Sequence, residues 1–238
     1  LISAARGRAN HLWKNQMLVG HLALALAARK LEPRIPLAAS VAAAFGLDLL
    51  WPILLLLGVE SVQVHAGDTA FTNLAFVSYP WSHSLLLSAG WAALAAVIGR
   101  RAFGTWRAGA VLGSLVLSHW VLDFITHRPD LPLWPAGPQA GLGLWNSIPG
   151  TILVEGGLLA IGIWIYLSAS SARDRTGRWA LSGLIVVLGV IWITQPWSPP
   201  PPSATAVAWG ALILWLLPPW ARWIEAHRQL RIPSTGAS

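Results

Sequence analysis

The sequence contains no cysteine, one methionine and two tyrosines, and only 11% of its 238 residues are charged. Without cysteine there is no disulfide framework and no thiolate metal site, so any bound metal must be held by nitrogen and oxygen ligands. A soluble domain carries roughly 25% charged residues, so this chain is not built to face water on all sides. What it has instead is 55% hydrophobic residues, 16 tryptophans and a formal charge of +7. That charge does not point to nucleic acid. The basic residues fall in short clusters between apolar runs rather than along one face, as topology signals do, with a weak attraction to anionic headgroups.

A helix needs about 20 apolar residues to cross the hydrocarbon core. Six segments meet this: 36–59, 83–99, 108–126, 148–170, 179–197 and 203–221. A further apolar segment, 17–28 (MLVGHLALALAA), is too short to span and reads as a half-crossing or packed helix. The expected fold is therefore all-α, a polytopic bundle of about six transmembrane helices plus a short N-terminal helix, forming a single domain over 17–232. Residues 1–16 read as a leader upstream of the natural start or as a disordered segment, and 233–238 as a disordered tail. The segments 29–34, 100–107, 173–178 and the tail from Arg222 hold three basic residues each, whereas the alternate loops 60–82, 127–147 and 198–202 hold only Arg128. The positive-inside rule puts the basic segments in the cytoplasm. The alanine, leucine and arginine usage fits a bacterial inner-membrane protein. Trp81, Trp134, Trp145 and Trp197 stand near span ends, as interfacial anchors do. The run SPPPPS (198–203) reads as a stiff connector.

Chemistry is concentrated in a few residues. The six spans contain no lysine or arginine, yet they hold Asp48, Asp123 and Glu155, together with His83 and His119; His21 lies in the short first helix. Buried carboxylates need a proton or a counter-charge, and with no basic side chain nearby a bound cation supplies one. At roughly 1.5 Å per residue these positions converge on one layer near the external face, with Asp48 closer to mid-membrane. In SHWVLDFITHRPD, His119, Asp123 and His127 follow at intervals of four, which on a helix aims all three along one face. Taken singly, each residue has a plainer reading: His21 as a packing histidine, His83 as a helix cap, Asp48 as a protonated acid, and Glu155 beside Gly156 and Gly157 as the mark of a close helix crossing. His65 and His227 read as surface residues.

The order of His21 in GHLALALA, Asp48 in GLDLLWP, His83 in YPWSHSLL and then SHWVLDFITHRPDLPLWP resembles the YdjM-like inner-membrane family, described as metal-dependent hydrolases. That family is in turn similar in motif order to zinc-dependent phospholipase C and the fungal zinc nucleases. The resemblance implies that Asp48, His83, His119 and Asp123 hold one metal. It implies that His21 holds a second, with Asp123 bridging, and that His127 and Glu155 fill the remaining ligand positions. Where the pattern has a histidine four residues before the late glutamate, this chain has Thr151, which argues for one or two ions rather than three.

The function expected from these residues is hydrolysis of a phospholipid or other lipid-linked phosphoester from the external side of the membrane, with a divalent metal, zinc first among the candidates. Asp48 or Glu155 is the candidate proton acceptor, and Arg128 the candidate phosphate contact, with a plain pairing to Asp130 as its alternative. A different class, a proton- or metal-ion-coupled transporter, uses the same residue types. It requires ionisable residues through the inner halves of the spans, where PLAASVAAAFG and AGAVLGSLVLS carry none. A third class is a metal-stabilised scaffold without turnover. Oligomeric state is not legible.

Overall fold

Away from water the backbone must satisfy its own hydrogen bonds, so the apolar runs become helices. The computed structural model describes residues 18–231; the expected leader over 1–16 and tail over 233–238 lie outside the described residues. The helices are α1 (Leu18–Leu31), α2 (Leu37–Ala44), α3 (Gly46–Leu56), α4 (Pro80–His83), α5 (Leu85–Phe103), α6 (Trp106–Thr126), α7 (Ile148–Ala169), α8 (Arg175–Ile193), α9 (Ala204–Ala211) and α10 (Leu217–Ala226). Short antiparallel strand pairs lie between them: β1 (Ser61–Val64) with β2 (Leu74–Ser78), β3 (Leu131–Pro132) with β4 (Gln139–Ala140), and β5 (Ser170–Ala172) with β6 (Arg228–Leu230).

Four single helices, α5 to α8, and the continuous unit Ala204–Ala226 are long and apolar enough to cross a membrane. The α2–α3 pair, bent by 53°, is apolar enough to make a sixth when taken as one broken span. The 36–59 run reads as one span, but the helix breaks at Phe45. Pro52 lies inside α3 and, having no N–H, leaves the carbonyl of Asp48 without its helical donor. The last unit carries a 3-10 stretch, Leu212–Leu216, just before Pro218 and Pro219, where missing N–H groups tighten the preceding turn. α8 starts and ends four residues earlier than the 179–197 run, because Asp174 caps it through Gly177 N–H.

The short first helix is the centre of the bundle: ten of the 14 residues of α1 are buried. It packs on α7, α2 and α6. The α1–α7 crossing is close because Gly162 leaves room for the backbone of Ala23; a Cβ there would lie 2.5 Å from the Ala23 carbonyl oxygen. The crossing is therefore at Gly162 and not at Gly156 and Gly157, which meet only the Trp192 ring and open space. Gly99, Gly109 and Gly113 do the same for the α5–α6 hairpin, as small residues do where helices associate without water. The outer surface is apolar: Leu153 of α7 is 76% exposed while Glu155, two residues on, is fully buried.

Polar contacts separate the bundle into two ends. At one end Arg107 reaches Leu31 O and Glu32, Arg29 reaches Glu225, and β5 pairs with β6, so all four basic segments meet there. At the other, Glu60 holds Ser82, Arg128 holds Asp68, and Asn73 holds Ser198 O, joining the alternate loops.

Candidate metal centre

Four helices deliver the site at the loop end. His21 comes from α1, Asp48 from the first turn of α3 just past the break, His83 from the end of α4, and His119 and Asp123 from successive turns of α6. Helical spacing alone brings His119 Nε2 to 3.2 Å from Asp123 Oδ2. His83 Nε2 lies 3.3 Å from His119 Nε2, 3.6 Å from Asp48 Oδ1 and 3.7 Å from Asp123 Oδ2. His119 Nε2 is 3.7 Å from the same Asp48 oxygen. The other oxygen of Asp123, Oδ1, is 3.3 Å from His21 Nε2. All five residues are buried. They form two overlapping groups able to hold an ion, His21–Asp48–His119 and His83–His119–Asp123.

The hydrogen bonds around the imidazoles decide which nitrogen is free. His119 Nδ1 is 2.8 Å from Ala44 O; a carbonyl only accepts, so Nδ1 carries the proton. His83 Nδ1 is 2.7 Å from Ser82 Oγ, whose own hydroxyl donates to Glu60 Oε2 at 2.7 Å. That hydroxyl must accept from His83, so Nδ1 is again the protonated nitrogen. Glu60 also accepts from Ser82 N–H at 2.8 Å, which fixes the serine. In the neutral rings both Nε2 atoms then present bare lone pairs to each other, between two carboxylates. Such a set repels itself until a cation, a proton or a metal, stands within it. The Ala44 carbonyl on His119, and the Ser82 hydroxyl backed by Glu60 on His83, are outer partners of the kind that metal-ligating histidines use. Among the described residues Asp48 Oδ2 and His21 Nδ1 lack a hydrogen-bond partner. The His21 ring stacks on His119 at 3.7 Å between centroids.

His127 stands where the helical spacing does not put it. α6 ends at Thr126, and His127 is its extended cap, with N–H bonded to Asp123 O. Pro129 limits the helix, since Arg128 before it is pushed out of helical conformation and a helix usually ends at or before that residue. His127 nevertheless lines the small pocket over the cluster together with Asp48, His83 and Asp123. Its Nδ1 donates to Asp130 Oδ1 at 3.1 Å, leaving Nε2 as the free nitrogen. Tyr79 donates to the same oxygen at 3.2 Å. Burial, and then the Asp130 charge, push the Tyr79 phenol well above its ordinary value, so it remains a donor.

Glu155 is near but not among the ion-holding groups of the described residues. Its Oε1 accepts from Trp145 Nε1 at 3.1 Å, and its Oε2 makes no close hydrogen bond among the described residues, with the Trp192 indole beside the carboxylate. Trp145 is accordingly no interfacial anchor: it is 1% exposed and holds Glu155, while Trp81, Trp134 and Trp197 do face outward. Arg128 makes the plain pairing that was its alternative: its Nε lies 3.1 Å from Asp130, and its Nη1 lies 3.1 Å from a second carboxylate, Asp68. Burial lifts the Asp68 carboxyl above its ordinary value in spite of Arg128. His65 is exposed beside Asp68, and His227, part-exposed, pairs with Asp174.

Sequence reasoning passed over Glu60, Ser82 and Tyr79, and it named Asp130 only as a partner for Arg128 and Trp145 only as an interfacial anchor. All lie in the loops or at span ends, and the one available signal was Glu60, a lone acid where an apolar run stops with no basic neighbour. No family model, no curated protein and no solved structure matches this chain, so the site rests on its geometry.

Proposed function

We propose that this protein is a membrane-embedded metal-dependent hydrolase that cleaves a phosphoester of a phospholipid or lipid-linked substrate. One observation carries the reading: two imidazole lone pairs 3.3 Å apart, each flanked by Asp48 and Asp123. Ligands held about 2.0–2.1 Å from a tetrahedral zinc lie roughly 3.3 Å from one another, and the separations of His83 and His119 from each other and from Asp48 and Asp123 run from 3.2 to 3.7 Å. Asp123 Oδ1 and His21 offer a second position beside the first. The same residues carry the resemblance to the YdjM-like family and, through it, to the zinc phospholipases.

A divalent ion held there supplies Lewis acidity toward a phosphoryl oxygen and acidifies water. The chain's own part is to hold and orient. Glu60 through Ser82 fixes His83, Ala44 fixes His119, and Asp130 fixes His127. Glu155, steadied at Oε1 by Trp145, offers Oε2 as the proton acceptor; Asp48 is committed as a ligand. A site between apolar helices, with lipid-facing leucine and tryptophan outside, favours a substrate that arrives through the bilayer. We place the protein in a bacterial inner membrane with the arginine end in the cytoplasm and the site toward the external face.

The test is turnover by zinc-loaded protein in lipid nanodiscs, with headgroup release from defined phospholipids and lipid-linked phosphoesters read by mass spectrometry. Hydrolysis abolished by a chelator and by Asp123→Asn, and strongly reduced in Glu155→Gln with its metal retained, is the expected result. Metal-loaded protein that cleaves none of these substrates overturns the hydrolase reading and leaves the scaffold.

A further inference from the structure

The arginine end contains a second charge problem, independent of the metal cluster and of opposite sign. A cleft of about 680 Å³ opens there, lined by Arg173, Asp174, Arg175, Arg178, Arg228 and Arg231, with Leu167 extending it onto the lipid-facing side of α7. Arg228 is the informative residue. It is only 7% exposed, and every acceptor it has is neutral: Ser170 Oγ at 3.0 and 3.3 Å, Ser170 O at 3.3 Å and Gly177 O at 3.2 Å, with its guanidinium 5.2 Å from the Tyr166 ring centre. The other buried arginine of this end, Arg29, has a carboxylate partner, Glu225 Oε1 at 2.6 Å. A buried cation without a counter-charge is costly, and Arg228 has none among the described residues.

The cleft holds no acid free to serve. Among the described residues Asp174 is its only carboxylate, and both oxygens are taken, Oδ1 by Gly177 N–H at 2.8 Å and Oδ2 by His227 Nδ1 at 2.7 Å. Arg173, Arg175, Arg178 and Arg231 are exposed and make no ion pair among the described residues. Topology alone accounts for arginines at this end; it does not account for one that is buried, oriented by three neutral acceptor atoms and set in a cavity of ligand size. Planar guanidinium groups converging on one space match the oxygens of a phosphate. We propose that this cleft binds a phosphate-ester anion, of which the headgroup of an anionic phospholipid, its chains running past Leu167, is one source and a soluble phosphate ester the other.

The experiment is native mass spectrometry of the full chain released from detergent after exposure to phosphatidylglycerol or phosphatidylcholine, with inorganic phosphate as competitor. The variants are Arg228→Gln and, because that one risks misfolding, the exposed triple Arg173→Gln/Arg175→Gln/Arg178→Gln. Phosphatidylglycerol adducts should exceed phosphatidylcholine adducts and fall about tenfold in the triple variant, the order expected when charge-assisted hydrogen bonds to phosphate are lost. Adducts displaced by inorganic phosphate assign the site to a soluble ester, and adducts that resist it assign the site to the lipid; both uphold a phosphate site. Equal binding of the two lipids, or anionic adducts undiminished in the triple variant, overturns it.

Discussion

At the loop end the buried groups are acceptors: Asp48 Oδ2, Glu155 Oε2 and the facing Nε2 atoms of His83 and His119, with no lysine or arginine touching them among the described residues. At the arginine end the buried cations are Arg29 and Arg228, and only the first has a carboxylate. Both lie in the same bundle, behind the same lipid-facing surface. Intramembrane charge persists only when something answers it, so the acceptors ask for a cation and Arg228 for an anion. The ends differ in rigidity too. The acceptors are held by outer partners, Glu60, Ser82, Ala44 and Asp130, whereas four of the five cleft arginines are exposed and unpaired.

The comparison is broken most severely by removing the shared carboxylate. Asp123 lies within 3.7 Å of each of His21, His83 and His119, so Asp123→Ala should lose both metal and hydrolysis entirely while anionic-lipid adducts at the arginine end persist. Retention of metal in that variant would separate the cluster from the ion. The outer partners come next. Ser82→Ala or Glu60→Gln should weaken metal binding about 10–100-fold in a chelator competition, with His65→Ala at the same end unchanged. Equal behaviour of the three would remove the oriented-histidine argument. The packing that holds the ends together gives a smaller effect. Gly162→Ala forces a Cβ against Ala23 and should cost about 1–3 kcal/mol of stability in detergent melting. Gly157→Ala, facing open space, should be neutral or stabilising by up to about 1 kcal/mol. Smallest is Arg128→Ala, which frees Asp68 and Asp130. Since Arg128 is 40% exposed, the loss should stay under about 1 kcal/mol, with activity retained; a large drop in turnover would return Arg128 to the substrate.

Much of this was legible in advance. Apolar runs interrupted by arginines mark the helices, and His21, Asp48, His83, His119 and Asp123 stand out because ionisable groups in such runs are rare and expensive. The structure brings those five together. Less legible was anything decided by local backbone. The break at Phe45 hides in the run 36–59, since helix and bent helix share the same hydropathy. His127 looked like the third residue of a helical face, although Pro129 already carried the information that the helix stops. Trp145 read as an anchor because a tryptophan near a span end has two uses, and only the fold shows that its N–H meets Glu155. Arg128 was placed by loop composition, which says nothing of Asp68, 60 positions away. Of the outer partners of the histidines, Glu60 and Asp130 come from loops whose course no periodicity encodes.

The most direct measurement is the metal content of the full chain, purified in detergent without chelator, by elemental analysis beside His119→Ala. About one or two equivalents of zinc or another divalent transition metal in the parent, the number that the single and the bridged arrangements hold, with none in the variant, is the expected result. A parent that stays folded and takes up no metal even on reloading would contradict it, and would mean that protons answer the two facing imidazoles, as in proton-coupled transport.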